Sequence, residues 1–346
     1  MMKMTMRWYG PDDPVTIQNI LQVPGLTGIV SALHDLKAGE ILTVELLEER
    51  KKIIESMGLK WMVIESIPVH ESIKLGKPER DQFIENYMQS IRNAGKVGIP
   101  VVCYNFMPVF DATRTDYAMQ NPDGSTALSF VQADLSKIDL SHGTRDLPIW
   151  VEAYSVEELN QLLADYAKVD EAKLFENLAY FLRKVVPVAE ESGVLMAIHP
   201  DDPPWSIFGL PRIVRNAETL KALLEIVDSP HNGLTFCTGS LGASEENDLP
   251  AMIRQFGHRI NFFHARNVKR TASHDFHESK HPSEFGSVNM FEVIRALHDV
   301  GFNGPIRPDH GRMIWGETGR PGYGLYDRAL GATYLYGLME AIDRLA

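Results

Sequence analysis

The chain has 346 residues, 44% of them hydrophobic and 23% charged, with a formal net charge of −12. These are ordinary values for a globular protein of barrel size, and the acidic balance argues against a nucleic-acid or anionic-membrane surface, which would need a basic footprint. Only Cys103 and Cys237 are present, so a disulfide framework is excluded and each thiol must be explained singly. No segment approaches the apolar length of a membrane span, and MMKMTMRWYG lacks the apolar core of a signal peptide, so the expected location is the cytoplasm.

In chain order, short β-rich runs occur at residues 6–10, 26–33, 59–66, 99–106, 194–200, 233–239, 260–266 and 304–311. Most are near-continuous apolar stretches, as expected of parallel strands covered on both faces. Helical patterns separate them at 44–58, 79–95, 155–193, 220–229 and 290–301, several closed by Gly. The first unit has only a brief helical turn after Pro14. Eight alternating units predict an α/β fold, a (β/α)8 TIM barrel occupying 1–346 as a single catalytic domain. Two segments are too long for simple connections, 107–154 after the fourth strand and 267–288 after the seventh. Both follow strand carboxyl ends, where an α/β barrel carries its active site, and each is expected to act as a lid or an oligomer contact.

The last four predicted strands end in metal-ligand side chains: LMAIHP at His199, GLTFC at Cys237, NFFH at His264 and PIRPDH at Asp309. Neighbouring strands lie about 4.8 Å apart, so a contiguous arc of them can reach one ion. A lone histidine at a strand end is more often a hydrogen-bonded structural residue; four such ends in succession favour a metal. Two imidazoles and a carboxylate suit manganese, iron, cobalt or zinc, and a thiolate pulls toward the softer members, leaving magnesium and calcium disfavoured. Cys103, in the middle of its run, reads as a small buried hydrophobe.

Residues two apart share a strand face, which pairs His264 with Arg266, Asp309 with Arg307 and Cys103 with Asn105 on the inward side. Arg266 and Asn105 are therefore expected to contact substrate. His310 faces away from Asp309 unless the chain turns at Gly311, and Tyr323 sits in the turn RPGYG. A histidine and a tyrosine beside a divalent cation suit acid and base work. HESKH at 277–281 matches the metalloprotease string H-E-x-x-H, but Ser273 and Pro282 bracket it and no amphipathic helix extends it, so it is set aside.

With these residues placed, the chain resembles the mannonate dehydratase family of hexuronate-degrading, xylose-isomerase-like barrels. The resemblance rests on MRWYG, GIVSALHDL, AIHPDDPPW, FCTGSLG, FFHARNV, HESKH, RPDHGR and GRPGYGLYDRALG, spread over essentially the whole chain. It implies metal ligands at His199, Cys237, His264 and Asp309, catalytic roles for His310 and Tyr323, and one divalent transition metal, Mn2+ or Fe2+. The implied reaction is dehydration of D-mannonate to 2-dehydro-3-deoxy-D-gluconate, with Tyr323 as base at C2 and His310 as acid at C3, the reverse assignment staying open. The expected partners are a small sugar acid and further copies of the chain. A metal-dependent sugar isomerase or epimerase on the same barrel and a non-catalytic sugar-acid-binding protein are the competing readings; the cysteine ligand counts against the first and the His310 and Tyr323 pair against the second.

Overall fold

The computed structural model describes residues 2–144 and 154–345. Among these residues the strands, in chain order, are β1 (Lys3–Arg7), β2 (Gly28–Ser31), β3 (Lys60–Glu65), β4 (Val101–Tyr104), β5 (Asp116–Gln120), β6 (Thr126–Phe130), β7 (Leu195–Ile198), β8 (Asn232–Cys237), β9 (Ile260–His264), β10 (Val268–Ala272), β11 (Asp275–Glu278) and β12 (Pro305–Arg307). Eight of them close into a parallel barrel in the order β1-β12-β9-β8-β7-β4-β3-β2. The expected arc is present: β7, β8, β9 and β12 are consecutive neighbours.

Local chemistry explains most element ends. Ser155 and Glu158 form a capping box before the helix Val156–Tyr166, and Asn216 and Thr219 do the same before Ala217–Ile226. Gly98, at φ 78°, closes Arg80–Val97 in the left-handed conformation that glycine adopts without strain. Two predicted boundaries are corrected. The first strand lies earlier than residues 6–10, because Lys3 and Met4 pair with β12 while the chain after Trp8 turns, Asp13 N–H donating to the Gly10 carbonyl. The last strand is only three residues long, because Pro308 has no N–H to continue the ladder. The expected helix at 155–193 is two helices, broken where Asp170 caps Glu171–Glu191 by accepting from Lys173 N–H.

The two long segments are built together. β5 and β6 from the first and β10 and β11 from the second join in one antiparallel sheet, ordered β10-β11-β6-β5. Phe276 pairs with Phe130 across the join, their rings stacked at 5.8 Å, and Trp205 packs edge-on against Phe130. The first expected insertion also includes 145–153, which lie outside the described residues.

The main core lies between strands and surrounding helices, with Leu47, Ile54, Ile84, Phe181, Val185 and Ile294 fully covered. Inside the barrel Val30, Val63, Cys103, Ala197 and Phe262 form a second apolar cluster, a floor beneath the strands' carboxyl ends. No helix of the described residues is long and apolar enough to cross a membrane.

Candidate active site

At the carboxyl end of the barrel a cavity is lined by residues at or just beyond strand ends, among them Arg7, Glu65, Asn105, His199, His264, Arg307, Asp309 and His310, and by Tyr323 from the loop before the last helix. Cys237 and His264 are Cα partners at the ends of β8 and β9, and His199 follows β7 directly. The ligand atoms of His199, Cys237 and His264 lie within 4.8 Å of one another. Asp309 stands beside them, its Oδ2 3.7 Å from Cys237 Sγ and 3.6 Å from His264 Nδ1.

The donor set fits a divalent transition metal. His199 directs Nδ1 to the carbonyl of Pro200 at 2.7 Å, which fixes its ring and leaves Nε2 for another partner. His264 is buried with neither ring nitrogen in a well-formed hydrogen bond, a costly arrangement for an imidazole that has no cation to bind. Burial is the largest influence on the Cys237 thiol and opposes its ionisation, but the Arg266 guanidinium and the polar contacts of His199 and His264 together hold the thiol well below its usual range. Burial likewise disfavours a charged His199, yet its hydrogen bond to the Cys237 sulfur and that sulfur's charge hold it up, to about 9. A thiolate with imidazoles around it is the form a transition metal takes up.

A layer of ion pairs supports these residues. Glu65, at the end of β3, is 3.1 Å from Arg7 and 2.8 Å from Arg307, and 3.4 Å from His264 Nε2. Arg307 also meets Asp309 at 2.6 Å, so residues 307 and 309 do share a face. Arg266 does not line the cavity. β9 ends at His264, the two-residue alternation stops there, and the guanidinium lies behind the site: Nε at 2.7 Å from Asp309, one terminal nitrogen 2.7 Å from Asp202, the other against Glu278. An ideal Cβ on Gly239 would sit 2.2 Å from Arg266 Nε, so glycine is needed for this close approach. Arg114 completes the layer with Asp202 at 2.8 Å and Glu278 at 3.2 Å.

The chain does turn after Asp309, as Gly311 N–H donates to the Gly322 carbonyl, and His310 and Tyr323 come together in the cavity wall. Tyr323 Oη and His310 Nε2 are 2.9 Å apart, and His310 Nδ1 is 3.2 Å from Glu278 Oε1. Burial pushes the Tyr323 phenol well above its usual value, with Tyr9 and Asp309 adding to the effect and Arg307 and Arg7 opposing it. Asn105 follows β4, lines the cavity and accepts from Met107 N–H at 3.1 Å. Cys103 lies below, buried, with its thiol pushed up by burial, and accepts from Thr235 Oγ1 at 3.2 Å.

HESKH lies outside any helix: His277 and Glu278 are on β11, and His281 is buried beside the last helix, its Nε2 donating to the Asp327 carbonyl at 2.9 Å. Within that string the histidines stand apart from the cluster, but Glu278 does not, and sequence reading missed it. Arg7 and Glu65 were also missed: Glu65 is a carboxylate at a strand end, as Asp309 is expected to be, whereas Arg7 falls near the start of the strand predicted at 6–10 and ends β1 only in the structure. No spacing rule joins Glu278 to His310.

The model of the family D-mannonate dehydratase (UxuA) matches residues 2–346. The chain is 56% identical over 344 residues to mannonate dehydratase 2 of Halalkalibacterium halodurans, covering 99% of this chain and 100% of that one. It is 54% identical over 343 residues to the mannonate dehydratase of Streptococcus agalactiae, covering 99% of each. The crystal structure of mannonate dehydratase from Streptococcus suis serotype 2 superimposes with a TM-score of 0.93 at 49% identity, over 100% of this chain and 96% of that one. With a metal-ready cluster and a paired tyrosine and histidine in one barrel cavity, the chain belongs to the D-mannonate dehydratase family, and it is a hydro-lyase.

Proposed function

We propose that this cavity dehydrates D-mannonate to 2-dehydro-3-deoxy-D-gluconate, that residues 1–346 act as one catalytic domain, and that His199, Cys237, His264 and Asp309 hold one Mn2+ or Fe2+. The observation that carries the reading is the convergence of His199, Cys237 and His264 within 4.8 Å, with His199 and His264 in the same cavity wall as the 2.9 Å contact of Tyr323 and His310. Charge supports it. The guanidiniums of Arg7, Arg114, Arg266 and Arg307 are matched by the carboxylates of Glu65, Asp202, Glu278 and Asp309. Against that neutral layer the Cys237 thiolate and the single carboxylate of a sugar acid together balance one divalent cation.

The proton on C2 is weakly acidic because its removal adds charge beside an existing carboxylate, and the bound ion supplies the Lewis acidity that stabilises this charge. Tyr323 is the base at C2. It must first give up its own proton, and the hydrogen bond to His310 Nε2 provides the route: the transfer that yields tyrosinate charges His310 for its role as acid. Tyrosinate then removes the C2 proton, the electron pair of that bond forms the C2–C3 double bond, the C3–O bond breaks, and His310 delivers its proton so that the hydroxyl leaves as water. Both side chains return to their starting forms, and the enol tautomerises to the 2-keto acid. Asn105, with Arg7 and Arg307, is suited to hold substrate hydroxyls and carboxylate, since all three line the cavity. Arg266 contributes from behind, through Asp309 and Glu278.

The reading extends to a cytoplasmic location, supported by the need of Cys237 for a reducing compartment. It also extends to a homo-oligomer, supported by the exposure of Trp315 (73%), Tyr326 (43%) and Leu330 (44%). Incubation of metal-loaded protein with D-mannonate tests the reaction: a 2-keto-3-deoxy acid is expected, and an isomeric or epimeric sugar acid in its place would make the protein an isomerase.

A further inference from the structure

Glu278 is an acidic side chain that touches the proton-transfer pair from outside the barrel. It ends β11, in the sheet built by the two insertions, and is 1% exposed. Its Oε1 is 3.2 Å from His310 Nδ1, while the guanidiniums of Arg266 and Arg114 hold the same carboxylate. Burial alone would favour the neutral acid, but these neighbours, Arg266 first, hold the group below its ordinary value, so it is a carboxylate and can only accept.

The tautomer of His310 follows from that. A ring nitrogen facing a carboxylate must be the one that carries hydrogen, so in the neutral imidazole Nδ1 is the donor and Nε2 keeps its lone pair. Nε2 is the atom 2.9 Å from the Tyr323 hydroxyl. The opposite tautomer would set Nε2–H against the phenol O–H and leave a lone pair against the carboxylate, and the proton could not pass.

We infer that Glu278 is a positioning residue for the dehydration: by accepting from His310 Nδ1 it fixes the tautomer and ring orientation that let Nε2 take the Tyr323 proton, and it stabilises the imidazolium that results. The insertion sheet therefore completes the active site rather than only covering it. A proton-transfer histidine oriented by a buried carboxylate is a recurring arrangement, and removal of such a carboxylate costs turnover on the order of 10⁴-fold in serine proteases. Glu278 also ties the two halves of the site together, because Arg266 holds Glu278 with one nitrogen and Asp309 with another.

The inference rests on the roles proposed for Tyr323 and His310, and the test separates the two. Glu278→Gln, His310→Asn and the double variant are compared in metal-loaded protein for metal content, thermal unfolding, kcat and KM. Glu278→Gln is expected to keep its metal, leave KM within about threefold and lower kcat by about 10²–10⁴-fold. The double variant is expected to be no slower than His310→Asn alone, since a residue acting through His310 has nothing left to act on. Glu278→Asp, which keeps the charge facing both arginines but withdraws it from the ring, is expected to fold, bind metal and lose most of its turnover. Metal loss or unfolding in both Glu278 variants would assign the residue to the scaffold and overturn the inference, as would a further multiplicative loss in the double variant. Near-normal turnover of His310→Asn would instead defeat the reading of the site itself, whereas an inactive His310→Asn beside a normal Glu278→Gln would defeat only the role of Glu278.

Discussion

Cys237 and His264 face one another in register at the ends of β8 and β9. A thiolate and an imidazole are thus set on neighbouring strands of a rigid sheet, with Asp309 3.7 Å from one and 3.6 Å from the other. Because both side chains sit on paired strand ends, no loop has to fold for them to meet.

Metal dependence follows. Removal of the ion with a chelator is expected to abolish turnover, with recovery on adding Mn2+ or Fe2+. The double variant Cys237→Ala, His264→Ala is expected to weaken binding well beyond the ~10–100-fold typical of losing an outer-layer partner. Elemental analysis and titration measure both, and full activity in metal-free protein would refute the ligand assignment.

The histidines of HESKH belong to the scaffold. His281 is 4% exposed and loses its hydrogen bond to the Asp327 carbonyl on truncation. His281→Ala is expected to cost about 1–3 kcal/mol of stability while metal content stays unchanged. Thermal denaturation read beside metal analysis distinguishes this from a ligand role, which would show as stoichiometric metal loss.

Gly239 sets the position of Arg266. A Cβ there would lie 2.2 Å from Arg266 Nε, the atom that meets Asp309. Gly239→Ala is expected to destabilise the fold by about 1–3 kcal/mol through overpacking and to weaken metal binding by moving Asp309. Equal metal affinity in the variant and the parent would show that Arg266 does not set the carboxylate.

Proton exchange separates Tyr323 from His310. Both Tyr323→Phe and His310→Asn are expected to lose about 10²–10⁴-fold in turnover. In deuterated solvent Tyr323→Phe is expected to leave the C2 hydrogen of D-mannonate unexchanged. His310→Asn should still exchange it at a reduced rate, because its tyrosine can lose a proton to solvent while departure of the C3 hydroxyl has stalled. Exchange that survives in the first variant and vanishes in the second would reverse the two roles.

The sequence by itself determined the barrel and the line of strand-end residues from His199 to Asp309. Parallel strands covered on both faces must be continuously apolar, so the polar residue that ends each run stands out, and consecutive β/α units place such ends side by side. It also showed that HESKH lacks a helix. It did not reveal that the two insertions pair through Phe130 and Phe276, that Arg266 turns behind the site, or that Glu278 reaches His310. Those contacts join residues far apart in the chain, and no periodicity records them. Strand alternation predicts a side chain's direction only while the strand lasts; β9 ends at His264, and beyond it the tertiary packing of Gly239, Asp202 and Glu278 decides where the Arg266 guanidinium goes.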